Sequence, residues 1–178
     1  MDEAAARAPC FPSGLRHRPP VGWANIVDLD FTFEDNGTAH DDLVLRLGNS
    51  VWRCDSYYLA LDEGVFPERE DAQKVRAVLR VLLETWRTAI GALANGASVY
   101  LPYDFSDQCT AWLACELQGS ELLVQHGWAD VEGWTISPSD PTVHVAKLAG
   151  FSVDGGPWRV SVSDFLKGII RSIEAAAP

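Results

Sequence analysis

The sequence predicts an α+β fold in which one long helix packs on a mainly antiparallel β-sheet. Three observations lead to this prediction. Residues 68–95 are amphipathic, with apolar side chains at three- and four-residue steps. Segments that alternate like β-strands lie on both sides of this stretch, and a second amphipathic segment, about 163–175, follows near the end of the chain. Strands, a helix and further strands are typical of a single α+β domain.

The first predicted elements are strands joined by tight turns. Residues 1–22 contain four prolines and no periodic pattern, which favours a flexible N-terminal segment, or one that orders only against a partner, before one domain over 23–178. Apolar and polar residues alternate over 26–33, as in a half-buried strand. Asn36-Gly37 predicts a turn into a return strand. Residues 51–61 are interpreted as a further strand with a bend.

The long helix is predicted to begin at Pro67, whose missing N–H costs nothing at the first helical position. Asn95-Gly96 is predicted to end it as a left-handed cap. Its buried stripe is expected to contain Val75, Val78, Leu79, Leu82, Trp86, Ile90 and Leu93.

The second half of the chain predicts more strands and a final helix. A hairpin is expected to turn at Gly119, with His126 facing Trp112. Ser163 is predicted to cap the last helix. The expected strands are residues 98–101, 109–117, 122–128, 134–136, 142–153 and 158–162.

The net charge of the chain argues against some classes of function, above all nucleic-acid binding. The formal net charge is −11, and an acidic protein is poorly suited to nucleic acid, which requires Lys and Arg to displace counterions. The same charge favours a basic protein partner through electrostatic steering. No apolar run approaches the length of a membrane span, and no signal peptide is evident. The sequence therefore predicts an acidic cytoplasmic protein without membrane or nucleic-acid partners, and an arginine-rich, lysine-poor composition suggests a bacterial source.

Catalytic and metal-binding motifs are missing from the sequence. It contains no GxSxG, Walker loop, HExxH or GxGxxG motif, and no CxxC pair. The four histidines are scattered, and Cys109 and Cys115 are interpreted as small buried residues. We therefore expect no catalytic residue, no cofactor and no metal site, which favours a protein that is not an enzyme.

Two acidic segments are candidates for partner binding. Residues 34–42, with Asp35, Asp41 and Asp42, resemble a calcium loop but lack its alternating ligands and closing glutamate. They are interpreted as a solvated hairpin tip or as a contact for a basic partner. Residues 100–108 are interpreted as a loop whose aromatic and acidic side chains bind a partner, or as a turn with local hydrogen bonds. The candidates there are Tyr103, Asp104, Phe105 and Asp107.

The favoured hypothesis is a small bacterial immunity or inhibitor protein that neutralises a basic toxin, because such a protein requires only a complementary surface. One alternative is a small hydrolase or ligand-binding domain in which Asp104, Asp107 and His126 or His144 converge. Another is an adaptor subunit with a partner on a tryptophan-rich face. The sequence does not indicate the oligomeric state.

Overall fold

The computed structural model of this chain describes residues 28–66 and 69–177. Within these residues it confirms the α+β class, with seven strands in two antiparallel sheets, three α-helices and one turn of 3-10 helix. The predictions for residues 1–22, for the strand start at 26–27 and for Pro67 lie outside the described residues. No helix in the described part of the chain has the length and apolar character needed to cross a bilayer.

The first sheet is a three-stranded meander. Its strands are β1 (Leu29–Phe33), β2 (Leu43–Leu47) and β3 (Ser50–Cys54), in that order. The alternation read from the sequence places Leu29, Phe31 and all three leucines of β2 in the core. Phe31 lies opposite Leu45, which in turn lies opposite Trp52, so these three side chains share the inner face.

The second sheet is a four-stranded meander. It contains β4 (Ser98–Phe105), β5 (Thr110–Gln118), β6 (Glu121–Ala129) and β7 (Ser152–Ser161), in that order. The predicted hairpin at Gly119 is confirmed, but its register is shifted by one residue. His126 therefore lies opposite Leu113 rather than Trp112 and points to the inner face.

The helices are α1 (Tyr57–Leu61), α2 (Ala72–Gly91) and α3 (Val162–Ala175). Helix α2 is shorter than predicted at both ends. The carboxylate of Asp71 accepts a hydrogen bond from Lys74 N at 3.0 Å and caps the helix. Asn95 and Gly96 instead bind the second sheet: Gly96 N donates to Leu117 O, and Asn95 Oδ1 accepts from Gly119 N.

The core lies between the helices and the two sheets. The predicted stripe of α2 is buried from Val75 to Ile90, and Leu93 is half-buried. Trp86 stacks on Phe31 with ring centroids 5.7 Å apart. Helix α3 packs against α2 and β1, and its Ser172 hydroxyl accepts a hydrogen bond from Phe31 N at 2.9 Å.

Three strand predictions were wrong. Only residues 50–54 of the predicted strand 51–61 are extended, because the buried Asp42 carboxylate binds Ser56 N and Oγ and α1 follows. Residues 134 and 135 belong to a turn of 3-10 helix, Gly133–Thr135, and residue 136 follows its end. In place of the predicted strands 142–153 and 158–162, residues 152–161 form one strand along β6.

The start of the last helix also differs from the prediction. Ser161, not Ser163, is the capping residue, because its hydroxyl accepts a hydrogen bond from Asp164 N at 3.1 Å. On the predicted apolar face, Phe165 and Ile169 are buried, whereas Ile170 is exposed.

Candidate functional site

The acidic hairpin between β1 and β2 divides into exposed and buried carboxylates. Asp35 and Asp41 are exposed. Asp35 accepts a hydrogen bond from Gly37 N at 3.0 Å, so it shapes the loop. Asp42 is fully buried and holds Ser56, so it is not available on the surface and its role is structural.

The loop expected at residues 100–108 is instead mostly strand, so that prediction was wrong. Strand β4 continues to Phe105 because it pairs with β5 up to Phe105 and Thr110. Tyr103 and Phe105 are each 1% exposed and belong to the core. Only the turn that follows is on the surface, and there Asp107 accepts a hydrogen bond from the Tyr58 hydroxyl. This bond raises the pKa of Tyr58 to about 12.

A β-bulge in β4 changes the direction of Asp104. The register shifts between Pro102 and Asp104, so Tyr103 is the extra residue. Asp104 then lies opposite Ala111, a core residue, and Ala111 lies opposite Trp128 of β6. Because directly opposite residues share a face, Asp104 is on the inner face of the second sheet.

Five aromatic rings, including that of Tyr103 beside Asp104 in the chain, pack together between the two sheets. His126 stacks on Trp52 at 4.8 Å between ring centroids, and it lies 6.0 Å from Trp128. Tyr103 lies 5.9 Å from His126, and Trp158 meets Trp52 edge-on at 5.6 Å. We define the aromatic–acidic cluster as Trp52, Tyr103, Asp104, His126, Trp128 and Trp158.

The two sheets meet across this cluster. Trp52 comes from the edge strand β3 of the first sheet, and the other members come from the second sheet. Gly155 lies opposite His126 on β7, where a Cβ atom would approach the Trp158 ring at 3.1 Å. The glycine therefore leaves room for the indole beside the histidine.

In the described part of the chain, no hydrogen-bond donor or cation compensates the charge of the Asp104 carboxylate. It is half-buried, and none of the hydrogen bonds described there involves its side chain. Burial raises its pKa, and the negative charges of Asp55 and Asp41 raise it further, to about 7. The carboxyl group is thus poised between its neutral and charged forms near neutral pH.

Besides the buried Nε1 atom of Trp128, which has no hydrogen-bond partner among the described residues, His126 is a polar group in the cluster without a partner. The residue is 2% exposed, and its Nε2 atom has no hydrogen-bond partner among the described residues. Burial lowers the pKa of His126 to about 4, although the charge of Asp154 opposes this shift. The ring is therefore neutral at physiological pH.

Further carboxylates make this end of the molecule negative. Asp41 and Asp55 act on Asp104, and Asp154 acts on both Tyr103 and His126. Asp55 binds His40 at 2.8 Å, and this hydrogen bond raises the pKa of His40. The nearby Arg46 and Arg53 bind Glu34, and Arg46 also binds Asp30, so they do not neutralise Asp104.

The other groups considered as chemical candidates lie elsewhere or are inert. His144 precedes Val145, whose backbone pairs with Tyr100 at the edge of β4. Cys109 and Cys115 are buried free thiols, as predicted, and burial raises the pKa of Cys115. Among the described residues, no group of three or more His, Cys, Asp or Glu side chains could hold a metal ion.

Sequence reasoning identified Asp104 but missed its surroundings. Trp52, His126 and Trp158 lie on separate strands, and nothing in their spacing indicates that they meet. The alternation in 50–54 signals that Trp52 faces inward, but not what it faces. Comparison with known protein families, known proteins and solved structures finds no significant match to this chain.

Proposed function

We propose that this chain is a protein-binding domain whose acidic end, around the aromatic–acidic cluster, recognises a basic protein partner. The observation that supports this most directly is Asp104: a half-buried carboxylate with negative neighbours and no counterion in the described residues. Such an arrangement disfavours the charged form in the free protein. A cation from a partner would relieve this cost, so the binding energy would depend on that contact.

The surrounding charges support the same function. Asp35, Asp41 and Asp107 are exposed, and the charge of Asp41 acts on Asp104. Exposed charges of one sign accelerate encounter with an oppositely charged partner, whereas desolvated contacts at the centre slow dissociation. Tyr57 and Tyr58, at 5.3 Å, and the exposed Trp134 add aromatic contact area next to Asp107 and its turn.

A cytoplasmic bacterial immunity protein that inhibits a basic toxin is the form of this function that we favour. An inhibitor of this kind needs surface complementarity but no catalytic group. The neutral, buried His126 and the Asp107 carboxylate held by Tyr58 do not form a catalytic pair with Asp104. The geometry therefore favours binding over hydrolysis.

Affinity capture from the native host tests this proposal. We expect the wild-type chain to retain a basic protein that is harmful to cells expressing it alone. The double variant Asp104→Asn, Asp107→Asn should bind at least about 30-fold more weakly, as expected when desolvated charge pairs are lost. The matched control is Glu116→Gln, Glu174→Gln, which removes the same charge from β5 and α3 and should bind like the wild type.

Kinetics separate the centre of the interface from its rim. Asp35→Asn and Asp41→Asn should lower the association rate and its dependence on salt, while Asp104→Asn should raise the dissociation rate. Capture of only acidic or harmless proteins would contradict the inhibitor hypothesis. Equal loss of binding in both double variants would show that overall charge, rather than this site, controls recognition.

A further inference from the structure

Three polar groups in the aromatic–acidic cluster lack partners among the described residues: the Asp104 carboxylate and His126 Nε2, which can accept hydrogen bonds, and Trp128 Nε1, which can only donate one. Asp104 shares a row of the second sheet with Trp128, and His126 lies in the adjacent row. The carboxylate offers acceptors, and the Nε2 atom of the neutral imidazole is an acceptor when the proton is on Nδ1. A group that donates hydrogen bonds in more than one direction would satisfy both.

The rings around these acceptors favour a flat cation. Trp52, Trp128 and Trp158 are half-exposed; the first two contact the His126 ring, and Trp158 meets Trp52 edge-on. Indole faces attract cations, and a guanidinium group stacks on them as well. Asp41, Asp55 and Asp154 add negative potential and would repel an anion.

We propose that the aromatic–acidic cluster binds one arginine side chain of the basic partner, with its guanidinium donating to Asp104 and to His126 Nε2 while it stacks on an indole ring. The inference rests on the proposed function, because it names the group that the partner inserts. The planar guanidinium has five donors in a fixed arrangement, so it can serve two acceptors at once. A lysine ammonium is a compact charge that stacks less well.

Entry of the side chain requires a local movement. His126 is buried beneath half-exposed rings, so an indole of the cluster must rotate aside for the guanidinium to reach Nε2. Side-chain rotations of this kind are common when proteins bind partners. The indole signals therefore report directly on occupancy.

The probes are the N-acetyl amides of arginine and lysine, added to the full-length protein and followed by NMR of the indole N–H groups. We expect the arginine probe to shift the signals of Trp52 and Trp128, with a dissociation constant on the order of 1 mM. The lysine probe should bind about fivefold more weakly. Asp104→Asn and His126→Phe should each weaken arginine binding by about tenfold or more, whereas Glu174→Gln should not change it.

A pH titration of the wild-type protein provides a test that needs no variant of Asp104. Arginine affinity should increase as pH rises through about 7, because the Asp104 carboxyl group then becomes charged. Of the groups that face it, Cys54 and Tyr103 titrate above this range and His126 below it. Other charged residues at this end of the molecule are Asp41, Asp55, Asp154, Arg46 and Arg53, and His40, which binds Asp55, titrates close to this range. His40→Asn should therefore retain the pH dependence.

Three outcomes would overturn the inference: no indole shift at probe concentrations well above the expected constant, equal affinity for the two probes, or affinity that is independent of both Asp104 and pH. If a basic partner binds through Asp104 while the arginine probe does not, the inference fails and the proposed function stands. If the probe binds but no basic partner is captured, the site is a cation site and the proposed function fails.

Discussion

Asp62 and Asp104 are both partly removed from water, but their surroundings shift the pKa values of the two carboxyl groups in opposite directions. Asp62 follows α1 and accepts hydrogen bonds from Gly64 N at 2.8 Å, Ser137 Oγ at 2.8 Å, and Ser139 N and Oγ at 3.1 and 2.6 Å. Burial alone would raise its pKa, but these bonds outweigh burial and lower it. Asp104 has no such donors among the described residues, and its pKa rises to about 7.

This difference separates a structural carboxylate from a candidate recognition carboxylate. The Asp62 network ties the segment after the 3-10 turn to the end of α1, so the fold itself satisfies the charge. The charge of Asp104 is satisfied only if something outside the described residues supplies a cation or a donor. A buried polar group that destabilises the free protein is expected at sites of function more often than elsewhere.

The largest effect on stability should come from the core behind both regions. Trp86→Ala should lower the free energy of unfolding by about 3 to 5 kcal/mol, because it leaves a cavity beneath Phe31, which also contacts Tyr103 of the cluster. Chemical denaturation monitored by circular dichroism measures this loss. A change below about 1 kcal/mol would show that Trp86 does not pack in the core as described.

The next effect should come from Asp62. Asp62→Ala removes the acceptor for two hydroxyls and two backbone N–H groups, so we expect a loss of about 2 to 4 kcal/mol in the free energy of unfolding. The loss should shrink as pH falls through the lowered pKa of Asp62, because the protonated carboxyl contributes less in the wild type. Partner binding by the folded variant should be retained. If Asp62→Ala abolished binding instead, the two carboxylates would not be functionally distinct.

The smallest effect has the opposite sign. Asp104→Asn should stabilise the free protein at pH 8, because the wild type holds a charged carboxylate in an unfavourable place. One pKa unit corresponds to about 1.4 kcal/mol, and screening of a half-exposed group reduces the full shift, so we expect a gain of about 1 to 2 kcal/mol. The gain should vanish as pH falls from about 7 towards 4, where both side chains are neutral.

The difference in the free energy of unfolding between Asp104→Asn and the wild type separates the effect of this carboxyl group from that of the histidines. His126, with its pKa lowered to about 4, makes the wild type more stable as pH rises from 4 to about 6.5, which opposes the effect of Asp104. Both proteins share that contribution, so subtraction removes it. Thermal melts at several pH values would measure the result, and a destabilised Asp104→Asn would show that Asp104 has a structural partner.

The sequence by itself determined the elements whose signal is local. The period of the apolar residues was sufficient to predict helices α2 and α3. Alternation of apolar and polar residues, together with the Asn36-Gly37 turn, was sufficient to predict the β1–β2 hairpin. Each of these patterns arises because a single element turns one side towards the core. Asp104 was selected because an acidic residue between aromatic residues is unusual. Its burial and its position on a strand were not visible at that level.

Only the tertiary structure determined which residues come together in the candidate site. A bulge at Tyr103 rotates Asp104 towards the interior, and a one-residue difference in hairpin register brings His126 to the same face. Trp52 then contacts Tyr103 and His126 from the other sheet, across a separation in sequence that no local pattern reports. The pKa values of Asp104 and His126 depend on this burial, since the side chains shift only when their neighbours replace water.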